Sequence, residues 1–209
     1  MRSLARRRRT PRLSLRERRA RLLEAAGRVF LKSGYAQAKV ADIVKQAGVA
    51  RGTFYAHYES KRNAFLLLSR EWLSRLLPPA GPAAQAIESR EDFETVMRLL
   101  HRGVLSAFEA ERGPARLLFG FSGGAAAQNP ALSRALAAHD REWKRRVAQP
   151  IATAKAAGLL HRDLDVDLAA ECVLGMVQRA VRRMVLDDER LDVDETAESL
   201  ARFCAAALA

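Results

Sequence analysis

Two short segments, each with an apolar face and joined by a tight turn at Gly48, constrain the fold of this chain most strongly. Ile43 and Val44 lie on one face of the first segment, and Phe54 and Tyr58 lie on one face of the second. Glycine tolerates the positive φ that such a turn needs. Two short helices joined in this way predict a helix-turn-helix, whose second helix can present its N-terminal residues to the major groove.

Helical periodicity continues along the rest of the chain, and no stretch shows the alternation of a half-buried strand. Ser14 and Glu17 have the spacing of a capping box, and Gly34 predicts the end of that helix. Asn129 and Pro130 predict another helix start. The first amides of a helix have no intrahelical acceptor, so the missing N–H of a proline costs nothing there. Helices are expected from Ser14 to Gly34, over about 40–46, 51–57 and 60–77, from 93 to Gly113-Pro114, and over about 115–122, 130–157, 167–186 and 192–208. The predicted fold class is all-α.

Prolines and a glycine at 78–82 predict the boundary between two domains. The first domain, 14–77, holds the helix-turn-helix within a three-helix unit and a connecting fourth helix. The second, 83–209, is a larger helical domain. Residues 1–13 form a basic arm, which is expected to be disordered in isolation because its arginines repel one another.

Positive charge is concentrated in the N-terminal third of the chain. Residues 1–75 contain 19 Lys and Arg against 5 Asp and Glu, whereas residues 76–209 contain 17 against 19. This asymmetry predicts a polyanion-binding head on a nearly neutral body. Charge by itself does not separate nucleic acid from an anionic membrane surface. No uncharged apolar run reaches the ~18 residues of a membrane span, so no membrane partner is expected.

Enzymatic, metal-binding and secreted classes find little support in the sequence. No secretory signal follows the first arginines, and Cys172 and Cys204 are too few for a disulfide scaffold, so a cytoplasmic protein is expected. The alternating acidic stretch at 161–167 is typical of a polar loop in which Asp165 or Asp167 caps the next helix. No metal site, no cofactor and no catalytic motif is predicted.

The outward residues of the second short helix suit a DNA contact. Arg51 can form two hydrogen bonds to guanine, and Thr53 can reach a phosphate or touch a thymine methyl group. Gly52 lets the backbone come close to the DNA. Tyr55 and His57 can donate hydrogen bonds to phosphate oxygens.

Basic residues at two helix starts and in the N-terminal arm extend this set. Lys39 opens the first short helix and Lys61 opens the fourth, where free amides also attract phosphate. Four consecutive arginines form a candidate minor-groove arm: Arg6, Arg7, Arg8 and Arg9. The alternative for this arm is a solvated tail that adds only weak, salt-sensitive affinity.

The segment from Ala41-Asp42-Ile43 to AGVARGTFYAHYESK at 47–61 resembles the TetR family of bacterial transcriptional regulators. The resemblance covers about residues 14–77, and the remainder is similar only in length, helical content and helix order. It implies an all-helical homodimer with a three-helix DNA-binding domain and a C-terminal domain that dimerises and binds a ligand. Most members of the family repress transcription and release DNA when a small molecule binds.

Two positions depart from the common pattern of the family. Ala50 stands where a Ser or Thr usually precedes the recognition helix, which loses a cap contact worth ~1 kcal/mol. Lys39 stands where a Thr commonly opens the preceding helix. These departures leave the fold expectation intact and the operator sequence undetermined.

The resemblance places a four-helix dimer interface at the last two helices, which carry broad apolar stripes. A two-fold dimer presents its recognition helices to major grooves ~34 Å apart or more, so the expected operator is an inverted repeat. A single short helix makes too few base contacts for useful specificity, which independently favours a dimer.

An effector pocket is expected among the helices between about 85 and 180. The candidate lining residues are Met97, His101, Phe108, Phe119, Trp143 and Met176. Each is also typical of ordinary core, and His101 can face either the pocket or solvent. In the expected dimer, the spacing of the two DNA-binding domains either fits the operator or does not. An effector releases DNA only if it binds the dimer with the unsuitable spacing more tightly than the dimer with the suitable one.

The sequence thus predicts a dimeric repressor that a small-molecule effector releases from double-stranded DNA. The alternative is an architectural DNA-binding protein without an effector, which would coat DNA without a preferred operator. An enzyme with a helical body has no supporting motif. Activation instead of repression stays open, because its sign depends on the position of the operator.

Overall fold

Local capping and one glycine break define the helices of the N-terminal unit. The computed structural model describes residues 14–77, 87–120 and 129–209. The first range contains α1 (Leu15–Gln37), α2 (Val40–Ala47), α3 (Arg51–Tyr55) and α4 (Lys61–Arg75). In this unit α1 packs on α2 and α2 packs on α3, around a core that includes Leu22, Phe30, Ile43, Phe54 and Phe65.

The predicted start and stop of α1 are confirmed. The Ser14 hydroxyl accepts from the Glu17 amide at 3.2 Å, and the Glu17 carboxylate accepts from the Ser14 amide at 2.7 Å. Gly34 has a φ of +72° and interrupts the helical backbone before a last short segment reaches Gln37. The first residues of the N-terminal unit are therefore positioned by interactions only three residues apart.

Five further helices lie in the described part of the C-terminal unit. They are α5 (Arg90–Ala110), α6 (Arg112–Phe119), α7 (Pro130–Ala156), α8 (Val166–Val185) and α9 (Val193–Leu208). Helix α5 packs on each of the other four, with its most extensive contact against α9, while α7 packs on α8. Across the three described ranges the chain forms nine helices and no strand, which confirms the all-α prediction.

Side-chain oxygens cap four of these helices at their N-termini: those of Ser89, Asn129, Asp165 and Asp192. The Asn129 side chain accepts from the Leu132 amide, and Asp165 accepts from the amides of Asp167 and Leu168. The expected cap at Asp165 is thus confirmed. Within the described residues, no three His, Cys, Asp or Glu side chains are grouped to hold a metal ion.

The prediction that Gly113 and Pro114 separate two helices was wrong. Helix α5 ends at Ala110 and α6 begins at Arg112, so both residues lie in the first turn of α6. Proline is tolerated there because the first amides of a helix have no intrahelical acceptor. The new helix starts earlier than predicted and ends at Phe119 instead of 122.

Contacts within the chain divide it into two compact units, Met1–Leu68 and Ser69–Ala209. The division falls inside α4, which the sequence had assigned as a connecting helix. The predicted boundary at 78–82 and the basic arm at 1–13 lie outside the described residues. None of the described helices has the length and apolar character needed to cross a membrane.

Candidate DNA interface and effector cavity

Helix α3 is held in place by aromatic residues on its inner side. Phe54 is fully buried and packs edge-on against Tyr55, with 5.4 Å between ring centroids. The ring centroids of Tyr58 and Phe54 lie 5.6 Å apart, and the Tyr58 hydroxyl donates to the Arg19 carbonyl of α1 at 2.8 Å. These contacts fix the inner face of α3 and leave its opposite face to solvent.

The exposed face of α3 carries the residues that the sequence assigned to DNA. Arg51 and Gly52 are exposed, and Tyr55 keeps 49% of its surface accessible. The guanidinium carbon of Arg51 lies 5.9 Å from the Tyr55 ring centroid, within the range of a cation–π contact. Thr53 and His57 are half-buried beside them. The Arg51 guanidinium, the Tyr55 phenol and the backbone of Gly52 thus lie together on one short helix.

The two glycines of the motif have different structural roles. Gly48 ends α2 with a φ of +66°, in the left-handed region that L side chains rarely adopt. A Cβ atom at Gly52 would meet no described atom within 4 Å, and its φ is not positive. The fold therefore explains Gly48 but does not explain why residue 52 lacks a side chain.

Lys61 is bonded to the protein itself. Its ammonium donates to the carbonyls of Tyr35, Ala36 and Ala38 at 2.8, 3.3 and 2.9 Å, and lies 4.5 Å from the Tyr35 ring centroid. Partial burial lowers the pKa of Lys61. Its three donors thus satisfy carbonyls at the end of α1, a role that the sequence analysis had not considered.

Lys39 and Ala50 precede α2 and α3 without a side-chain cap. Neither forms a capping hydrogen bond, as the departures from the family pattern implied. Both residues are exposed. The Lys39 side chain is consequently not used to cap its own helix.

Two arginines of α1 that sequence analysis missed lie close to the helix-turn-helix. The Arg19 guanidinium lies 5.9 Å from the Tyr58 ring centroid. The Arg21 guanidinium approaches within 3.5 Å of the position that a Cβ atom of Gly48 would occupy. The arginine-rich sequence at 16–21 was the available signal, but only the packing of α1 on α2 places this charge at the turn.

A cavity of about 280 Å³ lies within the C-terminal unit. Side chains of the end of α4 and of α5, α6, α7 and α8 line it. Three of the six predicted effector residues are among them: Phe108, Phe119 and Trp143. Met97 is fully buried, Met176 is half-buried, and neither lines this cavity.

His101 lies in the core away from the cavity, so it takes the ordinary-core position that the sequence analysis kept open and faces neither the pocket nor solvent. Its side chain is fully buried on α5, and neither ring nitrogen has a hydrogen-bond partner within the described ranges. Burial lowers the pKa of His101 to about 4, and the nearby Ala197 backbone, which does not reach hydrogen-bond geometry, opposes this shift only in part. The ring is therefore neutral at physiological pH.

Several of the residues that line the cavity carry polar groups. Trp143 Nε1 and His139 Nε2 are buried and have no hydrogen-bond partner among the described residues. His139 was not singled out from the sequence, although its spacing of four residues from Trp143 places both on one face of α7. Asp140 and Arg182 also line the cavity, and both are exposed.

Comparison with known proteins identifies both parts of the chain. The family described as "Bacterial regulatory proteins, tetR family" matches residues 22–66, and "Tetracyclin repressor-like, C-terminal domain" matches residues 121–200. The chain belongs to the TetR family. It is therefore a DNA-binding transcriptional regulator, as the motif at 41–61 had predicted. The family is non-enzymatic, which agrees with the expectation drawn from the lack of a catalytic motif.

Relatives match most of this TetR-family chain. The HTH-type transcriptional repressor DhaR of Mycobacterium sp. (strain GP1) is 27% identical over 179 residues, covering 85% of this chain and 87% of that protein. The HTH-type transcriptional activator FasR of Mycolicibacterium smegmatis is 26% identical over 201 residues, or 94% and 85% of the two chains. Among solved structures, the regulator FadR from Bacillus subtilis in complex with stearoyl-CoA has a TM-score of 0.71 at 19% identity, covering 91% and 99%. This structural similarity supports the assignment of the fold.

Proposed function

We propose that this TetR-family chain is a dimeric repressor that binds an inverted-repeat operator and leaves it when a small molecule binds the C-terminal unit. It acts in the bacterial cytoplasm, where its DNA lies. The observation that carries the proposal is the exposed face of α3. Arg51 and Tyr55 are adjacent there, and Gly52 has a bare backbone that the fold does not require.

Each residue of this face has an assigned task. Arg51 reads a base edge, since a guanidinium can make two hydrogen bonds to guanine. Gly52 permits close approach of the backbone, and Thr53 contacts a phosphate or a thymine methyl group. Tyr55 and His57 donate hydrogen bonds to phosphate oxygens. Lys39 binds phosphate at the start of α2, where its ammonium is exposed.

Homodimerisation is proposed to use α8 and α9. Leu168 on α8 and Phe203 on α9 each leave 58% of their surface exposed in the single chain. Both side chains are large and apolar and lie on the two predicted interface helices, so a second copy of the chain could bury them. The two-fold symmetry of such a dimer requires two operator half-sites in inverted orientation.

Repression is the proposed sign of regulation. The relative DhaR is named a repressor, which supports this choice, whereas FasR is named an activator. The chemistry of the DNA contacts is the same in both cases. The position of the operator relative to the promoter decides between them.

The charge of the N-terminal third favours a second candidate, an architectural protein that binds DNA without an effector. A strong positive charge supports binding to any DNA sequence through counterion release. The lined cavity with two unpartnered nitrogens supports the regulated protein instead, because an architectural protein needs no ligand site.

Selection of bound fragments from random and genomic DNA at near-physiological salt tests the proposed function. A compact inverted repeat is expected. Recovery of fragments with no shared repeat, and loss of binding as salt rises, would establish the architectural alternative.

The Arg51→Ala variant tests direct reading of the operator. It is expected to weaken binding to the selected operator by ~1–3 kcal/mol while changing binding to random DNA much less. Arg134→Ala, which removes an exposed arginine of the C-terminal unit, is the control. An equal loss on operator and random DNA would make Arg51 a phosphate contact.

The arginine arm Arg6–Arg9 is proposed to contact the minor groove or phosphates beside each half-site. Deletion of residues 1–12 is expected to lower affinity and to flatten its dependence on salt. An unchanged affinity and salt slope would remove the arm from the interface.

A further inference from the structure

We propose that the effector of this chain is a compact aromatic molecule carrying one hydrogen-bond-accepting oxygen, and that Trp143 and His139 bind this oxygen. The inference rests on the proposed function in one respect only, that the cavity of the C-terminal unit is the effector site. It adds the chemical class of the effector and the residues that recognise it.

The unpartnered nitrogens carry the inference. Trp143 lines the cavity and is 5% exposed, and its Nε1–H is buried without an acceptor among the described residues. Indole is a donor only, so the missing partner must be an acceptor atom. A buried donor without an acceptor is unfavourable in a folded protein, which makes this position suited to a ligand oxygen.

His139 lies one helical turn before Trp143 on α7 and also lines the cavity. Its Nε2 is likewise buried and unpartnered within the described residues, while its Nδ1 lies 3.7 Å from Asp140 Oδ1. Residues four apart on a helix present their side chains side by side. One ligand oxygen can therefore accept from both nitrogens when His139 carries its proton on Nε2, because Nδ1 lies 3.7 Å from Asp140 Oδ1, too far to donate a hydrogen bond to it.

Aromatic rings form much of the remaining wall. Phe108 and Phe119 both line the cavity, with 6.0 Å between their ring centroids and a tilt of 33°. Together with the Trp143 indole they offer flat apolar surfaces, which favour a planar ring through offset or edge-to-face contact. The body of the ligand is therefore expected to be aromatic.

The size and charge of the cavity favour a compact ligand over a nucleotide-bearing one. Its volume of about 280 Å³ is at the lower end of the range for ligand pockets. Arg182 is the single Lys or Arg among the lining residues described, and Asp140 lines the cavity with the opposite charge. A polyphosphate group needs several cations for its recognition, and this wall does not supply them.

The test compares two probes of similar shape, acetophenone and cumene, of which only acetophenone carries a carbonyl oxygen. Isothermal titration of the full chain is expected to show acetophenone binding at least about tenfold more tightly. Trp143→Phe keeps an aromatic ring and removes the donor, and His139→Leu removes the second nitrogen. Each variant is expected to reduce the preference for the ketone, to about threefold or less in Trp143→Phe.

A control variant and a competing ligand complete the experiment. Leu99→Met changes an exposed apolar residue of α5 that does not line the cavity, and it should leave the preference for the ketone intact. Equal affinity of the wild-type chain for both probes, no measurable binding of acetophenone, or a preference that survives both Trp143→Phe and His139→Leu would overturn the inference. Tight binding of stearoyl-CoA that displaces acetophenone would overturn the compact ligand class.

Operator binding by the same proteins separates this inference from the proposed function. Mobility-shift titrations without ligand are expected to give wild-type affinity for Trp143→Phe and His139→Leu. Operator binding without any acetophenone binding would refute the effector class alone. Absence of a preferred operator for the wild-type chain would refute the proposed function.

Discussion

At the scale of single residues, the two glycines of the helix-turn-helix separate folding from binding. Gly48 has a φ of +66° at the end of α2, and Gly52 lies exposed on α3 with open space where a Cβ atom would be. A methyl group is therefore expected to strain the backbone at position 48. At position 52 it would project toward whatever approaches α3.

Alanine at these two positions should have opposite effects on stability. Gly48→Ala is expected to destabilise the chain by ~1–2 kcal/mol, because an L residue in the left-handed region is strained. Gly52→Ala is expected to leave stability unchanged or to raise it by up to ~1 kcal/mol, since alanine favours helix. It should nevertheless weaken operator binding.

Thermal unfolding and operator titration of both variants measure these effects. The Gly48 variant serves as the control, because any loss of DNA binding by that protein follows its loss of stability. Full operator affinity of Gly52→Ala would show that the missing side chain has no role in DNA approach.

His101 illustrates a buried titratable group that lies outside the cavity. Burial lowers its pKa to about 4, whereas an unfolded histidine has a pKa of about 6.5. The unfolded chain therefore binds a proton between these values while the folded chain does not. His101 therefore does not reduce the free energy of unfolding above pH 6.5, and it reduces this free energy progressively as the pH falls toward 4.

Replacement by leucine should remove this dependence on pH. Between pH 7 and pH 4 the wild-type chain is expected to lose up to about 3 kcal/mol through His101, and His101→Leu should lose correspondingly less. Denaturant unfolding across this range measures the difference, with the exposed His161→Gln as control. Parallel pH profiles of wild type and His101→Leu would contradict the assignment.

At the scale of helices, Lys61 joins the start of α4 to the end of α1. Its ammonium bonds to three carbonyls that lie 23 to 26 positions earlier in the chain. The sequence showed a lysine in a first turn, which is also a typical place for a phosphate contact. Because the carbonyls are distant in sequence, only the packed structure reveals the competing role.

Methionine at Lys61 should therefore affect folding more than the electrostatics of binding. Lys61→Met is expected to destabilise the chain by ~1–3 kcal/mol, since three carbonyls lose a charged donor. The slope of operator affinity against salt should change little. Lys39→Met is expected to keep stability and to reduce that slope by about one counterion per chain.

Salt titrations and chemical unfolding of both proteins decide between the two roles. If Lys61→Met flattens the salt dependence as much as Lys39→Met does, Lys61 binds phosphate in the complex and exchanges its carbonyl partners for DNA.

At the scale of the whole molecule, the proposed dimer would join two DNA-binding units into one operator-binding protein. The proposed interface exposes Phe203 and Leu168 on α9 and α8 of the single chain. A charge placed at this surface must be desolvated when the dimer forms, and an unpaired buried charge strongly disfavours association.

Glutamate at position 203 should accordingly yield a monomer. Phe203→Glu is expected to sediment as a single chain at micromolar concentration and to bind the inverted repeat much more weakly than wild type. Phe203→Leu, which keeps the surface apolar, should stay dimeric. A dimeric Phe203→Glu protein with full operator affinity would place the interface elsewhere.

The sequence by itself determined the all-α class, the helix-turn-helix and the helix starts at Ser14, Asn129 and Asp165. These features depend on residues within a turn or two of one another, so a local pattern is sufficient to predict them. The family motif at 41–61 was found for the same reason, since its residues are contiguous.

Only the tertiary structure decided which side chains meet across the fold. Phe108, Phe119 and Trp143 line the cavity, whereas His101 faces the core, although all of them lie on helices with similar apolar stripes. The helical period predicts which face of each helix turns inward. Which partner that face meets depends on how helices distant in sequence pack together, and so does the pairing of Lys61 with α1.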